Sequence, residues 1–236
     1  LSVISALGAV TERIRFLTGI LVAPLRPAPV LAKAAATVDV LTGGRLDLGV
    51  GVGWQREEFD AVGADFAQRG ALLDTTIAEC RALWSGQPVP VTGPDGVASE
   101  VWSAPVPTQE RLPVWFSGTM TRRNLQRIVE LGDGWIPIMG ASPDDVAAGI
   151  AAARAGFAAA ERDPTTLKVR AALAVARGPD GSPDHRATLA AARELIEAGA
   201  TDLHLPLRAF VDDVGDRAQL ASTATALVAA LDAVVA

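Results

Sequence analysis

Two short stretches of small residues have the composition of a ligand-binding site. Gly51-Val52-Gly53-Trp54 contains two residues without a Cβ atom, so a ligand can lie directly against the backbone there. Ser117-Gly118-Thr119-Met120-Thr121 precedes a predicted helix and offers an anion hydroxyl groups, backbone N–H groups and the positive end of that helix. Arg122 and Arg123 follow at once. This combination suits a ligand that carries a phosphate group.

Each stretch also has a purely structural interpretation. The glycines before Trp54 could only relieve crowding in a tight βα turn, and short glycine motifs often occur by chance. Trp54 itself could form one wall of a substrate pocket or cover the end of a helix. Ser117 or Thr119 could cap the next helix by accepting hydrogen bonds from its free amides. Neither stretch is a Walker loop or a dinucleotide fingerprint, because the lysine and the GxGxxG spacing are missing.

Other reactive side chains are few. Cys80 is the only cysteine, which excludes an internal disulfide and a multi-cysteine metal site, and its apolar neighbours predict a core position. His185 and His204 are the only histidines and lack the spacing of a metal-binding pair, so we expect no metal. His204 alternates with leucines on a predicted strand and is expected to be buried and hydrogen-bonded. His185 is expected to be solvated in the first turn of a helix.

The composition excludes several classes of protein. Half of the 236 residues are apolar, which indicates a globular chain. A net charge of -6 and the lack of any basic run argue against a nucleic-acid partner. No apolar run reaches the roughly 18 residues that a membrane span needs. We therefore expect a soluble, cytoplasmic protein. The chain opens inside an apolar helical pattern without a methionine, so we expect it to start inside a domain.

The two candidate stretches follow strands in a regular alternation of strands and helices. Leu46, Leu48 and Val50 alternate with small or polar residues, which predicts a strand that ends at the glycines. Five further strands, each followed by a helix or leading into one, are predicted over residues 14–22, 113–116, 134–138, 167–175 and 201–207. Repeated βα units predict a parallel sheet flanked by helices. Such sheets bind their ligands at the carboxyl ends of the strands.

Six βα units are compatible with two architectures. A (β/α)8 barrel needs two more units, which would take roughly 50–70 residues ahead of residue 1. The alternative is an open, doubly wound sheet of six strands. Residues 87–112 are rich in proline and show little periodicity, which predicts an inserted, lid-like excursion.

The chain resembles a known family over more than half of its length. Residues 11–70 read TERIRFLTGILVAPLRPAPVLAKAAATVDVLTGGRLDLGVGVGWQREEFDAVGADFAQRG and resemble the luciferase-like flavin and deazaflavin oxidoreductases at nearly every position. The resemblance continues through LWSG and LPVWFSGTMTRRNLQRIVELGDGWIP and fades after about Pro137. It implies a (β/α)8 TIM barrel of the bacterial-luciferase type, with residues 1–236 as a single domain that lacks the first two βα units.

The resemblance also implies a cofactor, FMN or coenzyme F420, whose ring lies in the mouth of the barrel. It places Trp54 at the substrate pocket and implies a homodimer. Catalytic residues stay unknown, because family members often place a ring-facing acid or histidine on the two strands that have no counterpart here. Carried onto this sequence, the cofactor-binding positions are Gly19, Ile20, Val22, Gly51, Val52, Gly53, Ser117, Gly118 and Thr119.

Gly19 is a glycine in the middle of an otherwise apolar strand, where it often marks a bulge or a close approach of a ligand. In the F420-using relatives that this strand resembles, the strand has a bulge with a non-prolyl cis peptide behind the deazaflavin ring. Carried over, that bond is Gly19-Ile20. The alternative is a trans peptide, with Gly19 easing the curvature of the barrel.

The function that the resemblance implies is that of an F420-dependent oxidoreductase, which transfers hydride between the deazaflavin and a small organic substrate. The close alternative is an FMN-dependent monooxygenase that uses reduced flavin and dioxygen, and a third is a non-catalytic flavin-binding barrel. The patterns RIRFLTGILV and GVGVGW favour F420. The identity of the substrate is not predicted, because its pocket would include residues 87–112 and the strands without a counterpart.

Overall fold

The computed structural model describes residues 1–92 and 96–235, whose backbone contacts divide into two compact units. Unit 1 comprises residues 1–117 and 130–133, and unit 2 comprises residues 118–129 and 134–236. Both units contain parallel strands that alternate with helices, as the sequence pattern predicts.

Unit 1 contains most of the strands. They are β1 (Phe16–Leu17), β2 (Leu21–Val22), β3 (Leu46–Gly51), β4 (Val89–Thr92), β5 (Ala98–Val101) and β6 (Val114–Ser117). The helices that begin in this unit are α1 (Ser2–Ala9), α2 (Ala28–Leu41), α3 (Arg56–Val62) and α4 (Arg69–Leu83).

The central strand of unit 1 is β3, which is buried along its whole length. It pairs in parallel with β1 and β2 on one side and with β6 on the other. Leu46, Leu48 and Val50 lie on one face and are fully buried. The alternate residues, including Gly49 and Gly51, lie on the opposite face. The strand predicted from the alternation of these residues is therefore confirmed.

The strand predicted over residues 14–22 is interrupted by a bulge. β1 pairs with residues 46–47 and β2 pairs with residues 50–51. Residues 18–20 therefore lie opposite only residues 48–49, which is a β-bulge of one extra residue. The Gly19-Ile20 peptide bond is cis. The predicted bulge and cis bond are confirmed, whereas an unbroken strand and a trans bond are wrong.

Residues 87–112 contain a second sheet that the sequence did not predict. β4 and β5 form an antiparallel hairpin in which Val89 lies opposite Val101. The end of the segment is attached to α2. The fully buried carboxylate of Asp39 accepts hydrogen bonds from the amides of Thr108 (2.8 Å) and Gln109 (3.1 Å) and from Nε2 of Gln109 (2.7 Å). This end of the segment is thus anchored to the core.

A second, partly buried carboxylate fixes the start of β6. Asp133 accepts hydrogen bonds from the side chains of Arg81 and Arg111 and from the amide of Val114. Arg81 also donates to the carbonyl of Leu112. These bonds connect α4, the end of the 87–112 segment and β6 within unit 1.

Unit 2 carries the remaining parallel strands in the order β7 (Gly134–Ile136), β8 (Lys168–Ala172) and β9 (Asp202–His204). The strands end earlier than the apolar pattern predicts. Ser142 and Asp145 form a capping box at the start of α6, and Asp184 caps α7. The helices are α5 (Arg122–Leu131, whose last residues belong to unit 1), α6 (Pro143–Ala159), α7 (His185–Glu197) and α8 (Arg217–Val235).

No helix within residues 1–92 and 96–235 has the length and apolar character needed to cross a membrane. The described part of the chain also holds no group of three histidine, cysteine or acidic side chains placed to bind a metal ion.

The anchor at Asp39 predicts a large effect on stability. Asp39→Ala removes the buried acceptor of the amides of Thr108 and Gln109 and of a side-chain N–H of Gln109, so the free energy of unfolding should fall by about 1–3 kcal/mol. Urea denaturation measures this loss. Asp60→Ala, which removes an exposed carboxylate on α3, is the control and should change the free energy by less than about 0.5 kcal/mol. Similar losses in both variants would contradict the anchoring role.

Candidate cofactor site

Gly51 brings three of the predicted cofactor-binding residues together in unit 1. A Cβ atom on Gly51 would lie 2.7 Å from Cδ1 of Ile20 and 3.9 Å from Cβ of Ser117. Any side chain at this position would therefore displace Ile20. Both side chains are only half-buried and therefore partly accessible, with Ile20 in the bulge before β2 and Ser117 at the carboxyl end of β6.

Gly53 is required by its backbone as well as by its neighbours. Its φ of +76° lies in the left-handed region that favours glycine. A Cβ atom there would lie 2.7 Å from Cγ1 of Val22 and 3.1 Å from Cε2 of Phe59. The structure thus places Val22 against Gly53. The structural interpretation of the glycine, relief of crowding in a βα turn, holds for this position.

Trp54 projects from the same loop, and its side chain is 84% exposed. This exposure contradicts the alternative that the indole covers the end of a helix. Its position in a substrate pocket stays a prediction. Val52, between the two glycines, is half-buried.

Residues 118–121 begin unit 2. The backbone N–H and the carbonyl of Gly118 are both hydrogen-bonded to residues of β7. The amide of Gly118 donates to the carbonyl of Ile136 (3.0 Å), and its carbonyl accepts from Nε1 of Trp135 (2.8 Å). Its φ of +127° is a conformation that residues with a Cβ atom rarely adopt. The amide of Gly118 is therefore not one of the backbone N–H groups that this stretch can offer to a ligand.

The cap of α5 differs from the one considered in the sequence. Oγ1 of Thr121 accepts a hydrogen bond from the amide of Asn124 (3.2 Å), so Thr121 is the capping residue. Capping by Ser117 or Thr119 is wrong, because the chain turns between Thr119 and Thr121 before the helix starts. Among residues 1–92 and 96–235, neither the hydroxyl of Ser117 nor that of Thr119 has a hydrogen-bond partner. Both hydroxyls can therefore donate to an anion.

A cavity of about 370 Å³ lies beside this loop in unit 2. Its walls include Thr119, Met120 and Trp135, together with small residues of α6. A Cβ atom on Gly149 would overlap Cη2 of Trp135, so the glycine allows the indole to lie directly on the helix. The signal that sequence reasoning missed is Gly149, one of two glycines inside an alanine-rich helix.

Three charged or titratable residues share one face of β8 and β9. Arg170 lies opposite Asp202, and Ala172 lies opposite His204, so Arg170, Asp202 and His204 project on the same side of the sheet. Val169 and Ala171, on the other side, are buried. Sequence reasoning missed Arg170 and Asp202 as a group, because only the register of the strands brings them together.

The environment of His204 is not the one predicted. The residue is half-buried, and its ring has no hydrogen-bond partner among the described residues, so the prediction of a buried, hydrogen-bonded histidine is wrong. Burial lowers the pKa of His204, and the positive charge of Arg170 lowers it further. Burial also lowers the pKa of Arg170, which the charge of Asp202 opposes. His204 is therefore neutral near pH 7.

Cys80 has the core position that was predicted. It is fully buried, and Sγ lies 3.5 Å from the carbonyl oxygen of Ala28. Burial, with a smaller effect of Glu79, raises the pKa of its thiol to about 12, while Arg81 acts in the opposite direction. A thiol with this pKa is not a nucleophile at neutral pH.

Known proteins resemble this chain in sequence and in fold. It is 34% identical over 134 residues to an uncharacterised protein of Mycobacterium tuberculosis, a match that covers 56% of this chain and 47% of that protein. The chain thus spans about half the length of the curated relatives it matches. Monooxygenase RslO1 from Streptomyces bottropensis superposes with a TM-score of 0.68 and 20% identity, over 99% of this chain and 70% of its own.

A second solved structure has the same fold. The coenzyme F420 dependent tetrahydromethanopterin reductase from Methanopyrus kandleri superposes with a TM-score of 0.68 and 16% identity, over 86% of this chain and 80% of its own. The fold class is therefore α/β, of the luciferase-like barrel type, as predicted, and not the open doubly wound sheet. Residues 1–232 match the family described as luciferase-like monooxygenase, and the chain belongs to this family.

Proposed function

We propose that the protein is an F420-dependent oxidoreductase, which transfers hydride between a deazaflavin and a small organic substrate. The observation that carries this proposal is the bulge at residues 18–20. The resemblance to F420-using relatives predicts a bulge in this strand, and a reductase that uses F420 shares the fold. The cofactor, when bound, supplies the hydride chemistry, and the chain supplies binding, orientation and a pocket that excludes water.

The ring-binding part of the proposed site lies in unit 1. Gly19, Ile20 and Val22 supply one side of it, and the loop Gly51–Gly53 supplies the other. Because Gly51 has no side chain, Ile20 lies directly against β3, and the flat ring is proposed to rest on these two residues. Trp54, with its exposed indole, is proposed to contact the substrate.

The phosphate group of the cofactor is proposed to bind to Ser117, Gly118 and Thr119. Ser117 and Thr119 have hydroxyl groups that make no other hydrogen bond among the described residues. Arg122 is exposed in the first turn of α5 and adds a positive charge. Gly118 contributes its backbone conformation and not its amide, because that N–H already donates to the carbonyl of Ile136.

An FMN-dependent monooxygenase is the second candidate, because RslO1 is a monooxygenase and matches 99% of this chain.

We also propose that the protein forms a homodimer in the cytoplasm, acts on a small-molecule substrate and has no nucleic-acid partner.

An anaerobic titration with F420 and with FMN separates the two candidates. We expect F420 to bind at least tenfold more tightly, which corresponds to about 1.4 kcal/mol. Absorbance and fluorescence follow the binding. Tighter binding of FMN, with consumption of oxygen by the reduced complex, would establish the monooxygenase instead. Binding without turnover of any substrate would favour the non-catalytic barrel.

The contact between Gly51 and Ile20 gives a test of the ring site. Gly51→Ala should weaken F420 binding more than tenfold, because the new methyl group forces Ile20 towards the ring. Adding Ile20→Val removes the Cδ1 atom that lies 2.7 Å away and should restore most of the affinity. Ile20→Val alone is the control and should bind nearly as the natural protein does. Unchanged binding by Gly51→Ala would show that the ring does not lie here.

The phosphate site is tested by comparing deazaflavins with and without a phosphate group. Ser117→Ala combined with Thr119→Val removes both hydroxyl donors and should weaken F420 binding about tenfold. Binding of the phosphate-free deazaflavin should not change, because the ring site is intact. Thr121→Val, which removes only the helix cap, is the control and should lower stability more than affinity. Equal losses for both ligands would contradict a phosphate role for these hydroxyls.

A further inference from the structure

Arg170 is a half-buried cation that forms no salt bridge with the described residues. Its Nε atom is buried and has no hydrogen-bond partner. Asp202 lies opposite it, but within residues 1–92 and 96–235 no ion pair within 4 Å joins the two side chains. The carboxylate of Asp202 instead accepts a hydrogen bond from Oγ1 of Thr201 (2.7 Å). The buried Nε N–H has lost contact with water without gaining an acceptor in the protein, and an anion bound to the guanidinium would supply one.

The position of Arg170 allows access to a ligand. Arg170, Ala172 and His204 lie on the face of the sheet opposite the buried Val169 and Ala171. In luciferase-like barrels, as in other (β/α)8 barrels, the strand face away from the helices lines the interior, and ligands bind towards the carboxyl ends of the strands. Ala172 is small, which leaves space beside the half-buried ring of His204.

Two cations, Arg170 and Lys168, and one carboxylate, Asp202, share this face, so its net charge is positive. Lys168 lies on the same face at the start of β8, and the residues of β7 on that side are the uncharged Gly134 and Ile136. His204 is neutral in the absence of a ligand and can donate one ring N–H to an oxyanion. A carboxylate or phosphate can accept two hydrogen bonds from a guanidinium at once.

We propose that Arg170 and His204 bind the oxyanion of the substrate, so that the protein acts on small organic acids or phosphates. Calling the ligand a substrate rests on the proposed oxidoreductase function. Binding of the anion itself needs neither the cofactor nor turnover. The two proposals can therefore fail separately.

The first experiment uses the two histidines of the chain as paired reporters. NMR of the histidine rings is recorded while acetate or inorganic phosphate is added at constant ionic strength, with chloride as the reference. We expect the chemical shifts of the His204 ring to change saturably and its pKa to rise, because a bound anion offsets the charge of Arg170. His185, which is exposed on α7, should show neither effect. Equal, non-saturating shifts of both rings would overturn the proposal.

Substitution of Arg170 provides the decisive comparison. Arg170→Gln should abolish the saturable shift and, without anion, raise the pKa of His204, because a positive charge that opposes protonation is removed. Arg170→Lys keeps the charge and should retain part of the affinity. Lys168→Gln removes a charge from the same strand face and is the matched control, with affinity expected within about twofold. Saturable binding that persists in Arg170→Gln, or an equal loss in Lys168→Gln, would overturn the site.

A second measurement connects the site to turnover. With the cofactor bound, Arg170→Gln should lower kcat/KM more than tenfold for a carboxylate or phosphate substrate and leave a neutral ester or amide analogue unchanged. The acid and the phosphate are tested separately, and the one with the larger loss identifies the natural oxyanion. An equal loss for the neutral analogue would show that Arg170 only supports the fold. The NMR result stands even if no substrate is turned over.

Discussion

The burial of β3 on both faces is the constraint on which unit 1 depends. Leu46, Leu48 and Val50 fill one face completely, so the strand cannot rotate or slip by one residue without exposing them. The opposite face carries Gly49 beside Trp115 and Gly51 beneath Ile20. Two positions without side chains thus let the neighbouring strands approach. Gly51, which lets Ile20 lie against β3, is also part of the site proposed for the cofactor ring.

Polar anchors of unit 1 lie at the opposite ends of the strands from this surface. Asp39 binds Gln109, which in turn donates to the carbonyl of Leu46 at the start of β3. Asp133 binds the amide of Val114 at the start of β6. The amino ends of these strands are therefore held by two hydrogen-bonded carboxylates, one fully buried and one partly buried, and the carboxyl ends are left to the loops. In barrel proteins this arrangement separates the residues that stabilise the fold from those that bind ligands.

Two arginines show how partners distinguish a structural role from a binding role. Arg81 donates to Asp133 and to the carbonyl of Leu112, so its charge is balanced by a carboxylate of unit 1. Arg170 in unit 2 has a buried Nε atom without an acceptor, beside a histidine whose pKa it lowers. Removing Arg81 breaks the fold's own contacts. An anion at Arg170 would complete contacts that the fold leaves open.

The sequence by itself determined the alternation of strands and helices, the central strand and the bulge at Gly19, because period-two patterns and isolated glycines are local signals. It also determined the family, from motifs in a fixed order. Only the tertiary structure decided the β4–β5 hairpin, the cap at Thr121 and the shared face of Arg170 and His204. The hairpin and this face depend on the register between strands, and the cap depends on where the chain turns before α5. Such relations between backbone segments leave no periodic trace in the sequence, so no local pattern could have predicted them.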